Sequence, residues 1–368
     1  MEQDRFQAGA IGHTGNGGFG HGLHLPYQYL SETQMVGIAD PDPDGRREAK
    51  SATDAEHDYA DYHELLSKHD LDVVSIGPRV PTEHEAMVTA AADAGVHILI
   101  EKPLAKDVAA ADRMLQICAE NGVKMATALP SRYVEPFQTA REMIKDGELG
   151  EIRSLHARGK EDHRGGGEDL LVLGHHVLDL MRYLTDRDPE WVFGYVTDSG
   201  RSAKAEDAMD PSEPIGPVLG DRVTGLYGFP DGIRGYVYSG RDHQETSKQY
   251  GITVVGSDGV LSIQYSSLER PQLSRAHAAF EAPGEFEPVS VEPQHVPDAD
   301  LPDDGSIYTT ANALAVRDLL EAAQNDDEPR SSGRDARFAL EMIHGVTHSH
   351  LEERPITFPL DDRKHPLE

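Results

Sequence analysis

The sequence predicts a chain of two parts: an α/β domain with a doubly wound parallel sheet, followed by an α+β domain on a large, mostly antiparallel sheet. Short apolar runs alternate with helical patterns as far as about residue 128, and longer strand patterns with hairpin turns follow. A chain of 368 residues is also longer than one hydrophobic core usually grows. We therefore expect domains at 1–128 and 129–368.

The first domain has the alternation of parallel β-α-β units. Its predicted strands are apolar without alternation, as in a sheet that is covered on both faces. They are FQAGAIG, MVGIAD, DVVSIG, VHILI and VKMATA. The helices between them are expected near 20–30, from about 43, around HELLSKHD, at 82–94 and at 107–121.

The second domain begins with a helix expected at about 133–145 and continues as strands. The turn pairs Asp231-Gly232 and Asp258-Gly259 predict hairpins between the later strands. The expected strands are IRSLHARG, WVFGYVTD, RVTGLYGF, IRGYVYSG, YGITVVG and GVLSIQY. Long loops are expected at about 198–220 and 267–305, and helices near 307–325 and 333–351.

The composition excludes several classes of function. A formal charge of −31 repels polyanions, so neither nucleic acid nor an anionic membrane is an expected partner. The excess of acid fits either a salt-adapted source or an ordinary acidic cytosolic protein. The single cysteine, Cys118, excludes an internal disulfide and cysteine-rich metal motifs. The acidic first residues and the lack of a long apolar stretch predict a cytoplasmic location.

A glycine-rich loop directly follows the first predicted strand. Gly15, Gly17 and Gly20 satisfy G-x-G-x-x-G, and Gly12 stands where a strand-end glycine is expected. Such glycines let the backbone approach a pyrophosphate, which helix N-terminal amides hold. Asp40 closes the next strand, where a carboxylate accepts ribose hydroxyls. This order of strand, loop, helix, strand and acid predicts a dinucleotide-binding Rossmann domain.

The carboxylate of Asp40 favours NAD over NADP, because it repels a phosphate on the ribose. Two nearby arginines, Arg46 and Arg47, soften that preference. We interpret them as solvated residues at the start of a helix.

Several ordered motifs resemble those of the Gfo/Idh/MocA oxidoreductase family. They are the glycine loop, DVVSIGPRVPTEHEA, the Glu101-Lys102-Pro103 triplet, SRYVEPF, GELGEI, GGGEDLLVLGHHVLDLMRYL and GSDGVLSI. The resemblance extends through the whole chain. It implies a dehydrogenase that moves a hydride between NAD and a hydroxyl carbon of a sugar, sugar derivative or cyclitol.

The resemblance also implies roles for individual residues. Glu101 and Lys102 would contact the cofactor, and the Lys102 ammonium would also position the reacting hydroxyl. His176 would be the general base. A pocket between the domains is expected to contain the substrate-binding residues His84, Arg132, Tyr133, His163 and Asp169. The antiparallel sheet of the family often packs against another subunit, so a homodimer or homotetramer is expected.

One position departs from the family pattern. The family's sugar and cyclitol dehydrogenases have an aspartate four residues before the catalytic histidine, and here that residue is Val172. If one helix spans 168–184, nearby acids share a face with His176. Glu168 or Asp169 would then supply the carboxylate, while Asp179 would orient the imidazole. Alternatively, Glu168 and Asp169 only match the dipole of the first helical turn.

The same residues allow three alternatives to this function. We expect no metal, although His163, Glu168, His176 and Asp179 offer nitrogen and oxygen ligands as an alternative. The missing aspartate also leaves room for an enzyme that retains NAD and cleaves glycosides or eliminates by transient oxidation. A non-catalytic ligand sensor is a third possibility, and retention of Lys102 and His176 argues against it.

Overall fold

A computed structural model describes residues 5–241, 250–265, 272–276, 286–291, 295–302 and 306–368. The chain divides into two compact units. The first unit runs to Tyr133 and also includes His295–Arg337, and the second consists of Val134–Gln294 and Phe338–Glu368. The sequence predicts one domain for all residues after 128, whereas His295–Arg337 groups with the first unit in the structure.

The first unit is built on a six-stranded parallel sheet in the order β3-β2-β1-β4-β5-β6. Continuous burial along β1, β2, β4 and β5 confirms the predicted strands that are covered on both faces. The strands are β1 Phe6–Ile11, β2 Thr33–Ala39, β3 His57–Tyr59, β4 Val73–Ile76, β5 His97–Ile100 and β6 Met125–Thr127.

Helices connect these strands and flank the sheet. Aspartates cap three of them: Asp42, Asp61 and Asp107 accept hydrogen bonds from amides of the first turn. The helices are α1 Pro26–Tyr29, α2 Pro43–Thr53, α3 Tyr62–Lys68, α4 Pro81–Asp93 and α5 Val108–Glu120. A later helix, α9 at Ile307–Asn325, packs against α1, β5 and β6 and so completes the first unit.

The second unit is built on a ten-stranded sheet. Nine strands follow the order β15-β14-β13-β12-β7-β11-β10-β8-β16, and β9 pairs with β8. All pairs are antiparallel except β7 with β11, which confirms a mostly antiparallel sheet. The strands are β7 Ile152–Arg158, β8 Trp191–Asp198, β9 Arg201–Ser202, β10 Arg222–Gly228, β11 Arg234–Gly240, β12 Gly251–Gly256, β13 Val260–Gln264, β14 Gln272–Ala276, β15 Glu287–Pro288 and β16 Ile356–Thr357.

Two details test the predicted turns and loops. Asp231 and Gly232 have φ angles of 57° and 78°, the left-handed pair that a tight hairpin between β10 and β11 requires. The loop expected at 267–305 is wrong in part, because β14 and β15 form within it. Residues 266–271, 277–285, 292–294 and 303–305 of that region lie outside the described residues.

Four helices belong wholly or partly to the second unit. They are α6 Glu135–Lys145, α7 Gly167–Val172, α8 Gly174–Thr185 and α10 Gly333–Glu352. Helix α8 packs against β7 and β12. Helix α10 approaches β8 so closely that a Cβ atom at Gly194 would collide with the carbonyl oxygen of Val346. In the part of the chain that is described, no helix is long and apolar enough to cross a membrane.

The contact between β8 and α10 gives a testable prediction for stability. Replacing Gly194 with alanine should lower the free energy of unfolding by about 1–3 kcal/mol, because the added methyl group overpacks the interface. Urea denaturation measures the change. Gly259→Ala is the matched control, since its nearest atom would be the Ala276 carbonyl oxygen at 3.3 Å. Equal losses in both variants would contradict the close approach of α10 to β8.

Candidate active site

The glycine loop leaves the carboxyl end of β1, at the point where the order of the parallel strands reverses. Strand β1 lies between β2 and β4. The chain continues from β1 to β2 and β3 on one side of it, and then returns to β4, β5 and β6 on the other side. Ligands of doubly wound sheets bind in the crevice that such a reversal opens. The fold therefore places the predicted cofactor residues where a nucleotide site is expected.

The loop differs from the prediction in its helix. A helix was expected near 20–30, but α1 covers only Pro26–Tyr29 and turns occupy the residues before it. Gly15, Gly17 and Gly20 have φ angles of 93°, 94° and 63°, which side chains rarely adopt. The glycines therefore form a coiled loop instead of a first helical turn. An anion there would bind to loop amides and not to the N-terminus of a helix.

The loop fits a pyrophosphate on two observations. The amides of Gly15, Gly17 and Phe19 donate to no acceptor among the described residues. A Cβ atom at Gly15 or Gly18 would meet no atom within 4 Å, so space remains open beside the loop. Gly12 has a packing function, because a Cβ atom at this position would lie only 2.5 Å from the Phe19 ring. Unpaired amides beside open space form a cradle for an anion.

Asp40 makes different contacts from those predicted. Its carboxylate accepts hydrogen bonds from the Thr14 amide at 3.0 Å and the Thr14 hydroxyl at 2.9 Å, and from the Asp42 amide at 2.9 Å. It is 1% exposed. In this structure Asp40 fastens the glycine loop to the end of β2, and a ribose hydroxyl would have to share its oxygens with Thr14.

The start of α2 completes this attachment. A Cβ atom at Gly45 would collide with the Thr14 hydroxyl, so only glycine permits this approach. Arg46 donates to the Asp40 carbonyl at 2.6 Å and pairs with Asp58 at 3.2 Å. Arg47 is exposed and pairs with Asp44. Arg47 thus behaves as the solvated residue expected, whereas Arg46 joins α2 to β2 and β3.

Glu101 fastens the other end of the loop to β5. Its side chain is fully buried, and its Oε1 accepts from the His21 amide at 2.8 Å. The His21 ring lies 2.7 Å from the same oxygen. Burial raises the pKa of Glu101, but the charge and hydrogen bonds of His21 and the charge of Lys102 together lower it to about 2. Glu101 is therefore an ionised anchor of the loop, and Lys102, 4% exposed, follows it directly.

Three residues that were predicted to bind substrate have other partners in the first unit. His84 is fully buried, with its ring nitrogens 2.9 Å and 2.7 Å from backbone carbonyl oxygens. Arg132 donates to the Arg330 carbonyl at 2.6 Å and pairs with Asp335. The Tyr133 hydroxyl donates to Asp318 at 2.9 Å. Each of these polar groups helps to hold the fold together, and the substrate assignment of His84, Arg132 and Tyr133 stays a prediction.

The predicted helix at 168–184 is interrupted. Leu173, with φ −111°, separates α7 from α8. The expectation that Glu168 and His176 lie on one helical stripe is therefore wrong. His176 is 7% exposed on α8, and Val172 is buried at the end of α7.

The two acids proposed to replace the family aspartate already have partners. Glu168 is 5% exposed and accepts from the Ser212 amide at 2.9 Å and from the Ser212 hydroxyl. Asp169 is 1% exposed and accepts from the Ser239 hydroxyl and the Glu161 amide. Burial raises the pKa of Asp169. Both acids anchor loops of the second unit, and a substrate-facing role for either stays a prediction.

The roles of Asp179 and His163 stay predictions. Asp179 is 1% exposed and lies 3.7 Å from Arg182, so its orienting action on His176 remains a prediction. His163 is 68% exposed and therefore accessible to a ligand. No group of three or more metal-ligating side chains that could hold an ion is found among the described residues, which gives the alternative metal site no support.

Sequence reasoning missed His21, Tyr308 and Thr14. His21 lies within the glycine motif and was treated only as a spacer between glycines. Tyr308 is distant in sequence, yet its ring stacks on His21 with centroids 4.9 Å apart. A polar residue inside a glycine loop was the one available signal for His21 and Thr14.

Known proteins resemble both parts of the chain. Residues 9–129 match a family model described as an oxidoreductase family with an NAD-binding Rossmann fold. Residues 137–262 match the GFO/IDH/MocA C-terminal domain. D-apiose dehydrogenase of Paraburkholderia graminis is 26% identical over 365 residues, which is 96% of this chain and 89% of that protein.

Two further similarities are informative. Myo-inositol 2-dehydrogenase of Thermotoga maritima is 26% identical over 252 residues, covering 64% of this chain and 75% of that protein. A levoglucosan dehydrogenase, solved with NADH and levoglucosan, shares the fold with a TM-score of 0.75 at 21% identity. That alignment covers 97% of this chain and 100% of the solved chain.

The attachment of the loop through Thr14 gives a prediction for nucleotide affinity. Gly45→Ala should weaken NADH binding by about tenfold, or about 1.4 kcal/mol, because the added methyl group displaces Thr14 and with it the loop. Fluorescence titration with NADH measures the dissociation constant. Ser51→Ala, an exposed change on the same helix, should bind like the wild type. Unchanged affinity in the Gly45 variant would exclude this loop from the nucleotide site.

Proposed function

Because the chain belongs to the GFO/IDH/MocA oxidoreductase family, we propose that it is an NAD-dependent dehydrogenase acting on a hydroxyl carbon of a sugar, sugar derivative or cyclitol. The main support is the glycine loop, whose unpaired amides face open space at the edge of the sheet where Lys102 lies. The relatives named for apiose and inositol support a polyhydroxylated substrate.

The chemistry assigns different tasks to the cofactor and to the chain. Bound NAD would supply the acceptor for the hydride. The amides of Gly15, Gly17 and Phe19 would hold its pyrophosphate, and the buried Glu101 keeps the loop in place. The Lys102 ammonium would orient the reacting hydroxyl and favour the negative charge that develops on its oxygen.

His176 would remove the hydroxyl proton as the general base. His176 belongs to the second compact unit and Lys102 to the first. The two units therefore have the separate roles that were predicted for the two domains. The first unit binds the nucleotide, and the second contributes the base and the exposed His163. A cytoplasmic location also stays a prediction.

We further propose that two copies of the chain associate through one face of the ten-stranded sheet. On β8, exposed Phe193 and Tyr195 alternate with buried residues. On β11, Tyr236 is 40% exposed, and Leu226 of β10 pairs with both Phe193 and Tyr236. This aromatic sheet face, defined by Phe193, Tyr195 and Tyr236, is an apolar surface of the kind that interfaces bury.

The first test of the proposal is catalytic. The protein should reduce NAD with at least one member of a panel of aldoses, sugar acids and cyclitols. Lys102→Met should lower kcat by about 10²–10⁴-fold, since the positioning charge is lost. Lys106→Met, at a lysine that is 41% exposed, should retain activity. Consumption of a glycoside with tightly held nucleotide and no net NADH would favour the transient-oxidation alternative instead.

The second test concerns assembly. Light scattering after gel filtration should give a dimer or a multiple of it for the wild type. The double variant F193E/Y236E should shift the mass toward the monomer, because two carboxylates cannot be buried in the same face without large desolvation. Tyr62→Glu, on helix α3 of the first unit, should leave the mass unchanged. A monomeric wild type would refute association through the aromatic sheet face.

A further inference from the structure

The glycine loop contains an imidazole that neither the motif nor the proposed function uses. His21 follows Gly20, and its Nδ1 lies 2.7 Å from Oε1 of Glu101. Its side chain is 29% exposed, whereas that of Glu101 is fully buried. A buried carboxylate thus faces one nitrogen of a ring that remains in part accessible.

The ionisation of Glu101 determines the tautomer of His21. The pKa of Glu101 is lowered to about 2, because the favourable charges and hydrogen bonds outweigh its burial. A carboxylate has no proton to donate, so Nδ1 must carry the hydrogen of this contact. In the neutral ring, Nε2 is then the basic atom. Nε2 donates to or accepts from no residue in the described part of the chain.

The ring is held from several directions. Tyr308, at the start of α9, stacks on it with an interplanar angle of 19°. The Asn312 side chain donates to the His21 carbonyl at 2.9 Å. The neighbouring charges are those of Glu101 and Lys102, and the charge of Arg79 acts on Tyr308. A fixed ring with one nitrogen on a carboxylate and the other accessible has the geometry of an oriented general base.

Anchoring of the loop does not require this ring. The backbone amide of His21 already donates to Glu101 at 2.8 Å, and any residue could supply that bond. The imidazole adds a titratable atom beside the carboxylate that precedes Lys102. Uptake of a proton by the ring would change the net charge of the pair from one negative charge to none.

We propose that His21 and Glu101 form a carboxylate–imidazole pair that relays the proton of the reaction between the Lys102 end of β5 and solvent. This rests on the proposed dehydrogenase function. In alcohol oxidation the C–H electron pair leaves as hydride to the nicotinamide, and the O–H bond breaks. His176, the proposed base, takes the hydroxyl proton first. Water then carries that proton to Nε2 of His21, which holds it until solvent accepts it, and the reduction direction reverses these steps.

The first experiment needs no activity. In the full-length protein labelled with ¹⁵N-histidine, the neutral His21 ring should show the Nδ1–H tautomer, with Nε2 unprotonated. Glu101→Gln should remove that preference, and His21→Gln assigns the signal. An Nε2–H tautomer for neutral His21 in the wild type would overturn the proposal, whatever substrate the protein uses.

The second experiment separates a proton relay from a binding contact. His21→Gln should lower kcat by about 10²-fold, alter the pH profile and increase the solvent deuterium isotope effect, with NADH affinity within about threefold of the wild type. Added imidazole should restore part of the activity of His21→Ala. His63→Gln, an exposed histidine on α3, is the control and should match the wild type.

The outcomes distinguish the two proposals. A wild type that binds NADH but oxidises no member of the substrate panel refutes the dehydrogenase function, while the tautomer still decides the arrangement of the pair. An active wild type whose His21→Gln variant keeps its kcat and pH profile refutes the relay alone. Loss of NADH affinity with kcat retained at saturation would show that His21 contacts the cofactor and relays no proton.

Discussion

The glycine loop of the first unit depends on one buried, ionised carboxylate, that of Glu101. Glu101 has no exposed surface, and its burial raises its pKa, but the charge and hydrogen bonds of His21 and the charge of Lys102 lower that pKa to about 2. A Cβ atom at Gly20 would collide with its side chain, which shows how closely the loop approaches. The same contact that fixes the glycine loop also determines where Lys102 emerges from β5. The glycine loop and the candidate catalytic residue Lys102 are therefore both attached to Glu101.

Much of the fold follows from patterns that are local in sequence. The apolar runs of β1, β4 and β5 predict their burial on both faces, and Asp231-Gly232 predicts its hairpin. Strand β3 was missed because His57–Tyr59 is a polar, largely exposed edge. The packing of α9 with the first unit was missed too, since it depends on contacts between residues about two hundred positions apart.

The sequence predicts the location of the candidate site better than the hydrogen-bond partners of its residues. The glycines and Glu101-Lys102 follow from their motif and its place at strand ends. Glu168 and Asp169 were assigned by helical spacing, but their partners Ser212 and Ser239 lie 44 and 70 residues away. The spacing of residues along the sequence predicts which side chains share one face of a helix. Which acid already accepts a hydrogen bond from a distant hydroxyl depends on tertiary structure, and the replacement of the family aspartate by Glu168 or Asp169 therefore stays a prediction.

A crystal structure of the protein with bound NAD would show whether the glycine loop holds the pyrophosphate while it stays attached to Glu101. We expect pyrophosphate oxygens within about 3 Å of the amides of Gly15 and Gly17, with His21 still paired to Glu101. We also expect the nicotinamide ring beside Lys102. A pyrophosphate bound elsewhere, or a loop that releases Glu101 when the nucleotide binds, would contradict this expectation.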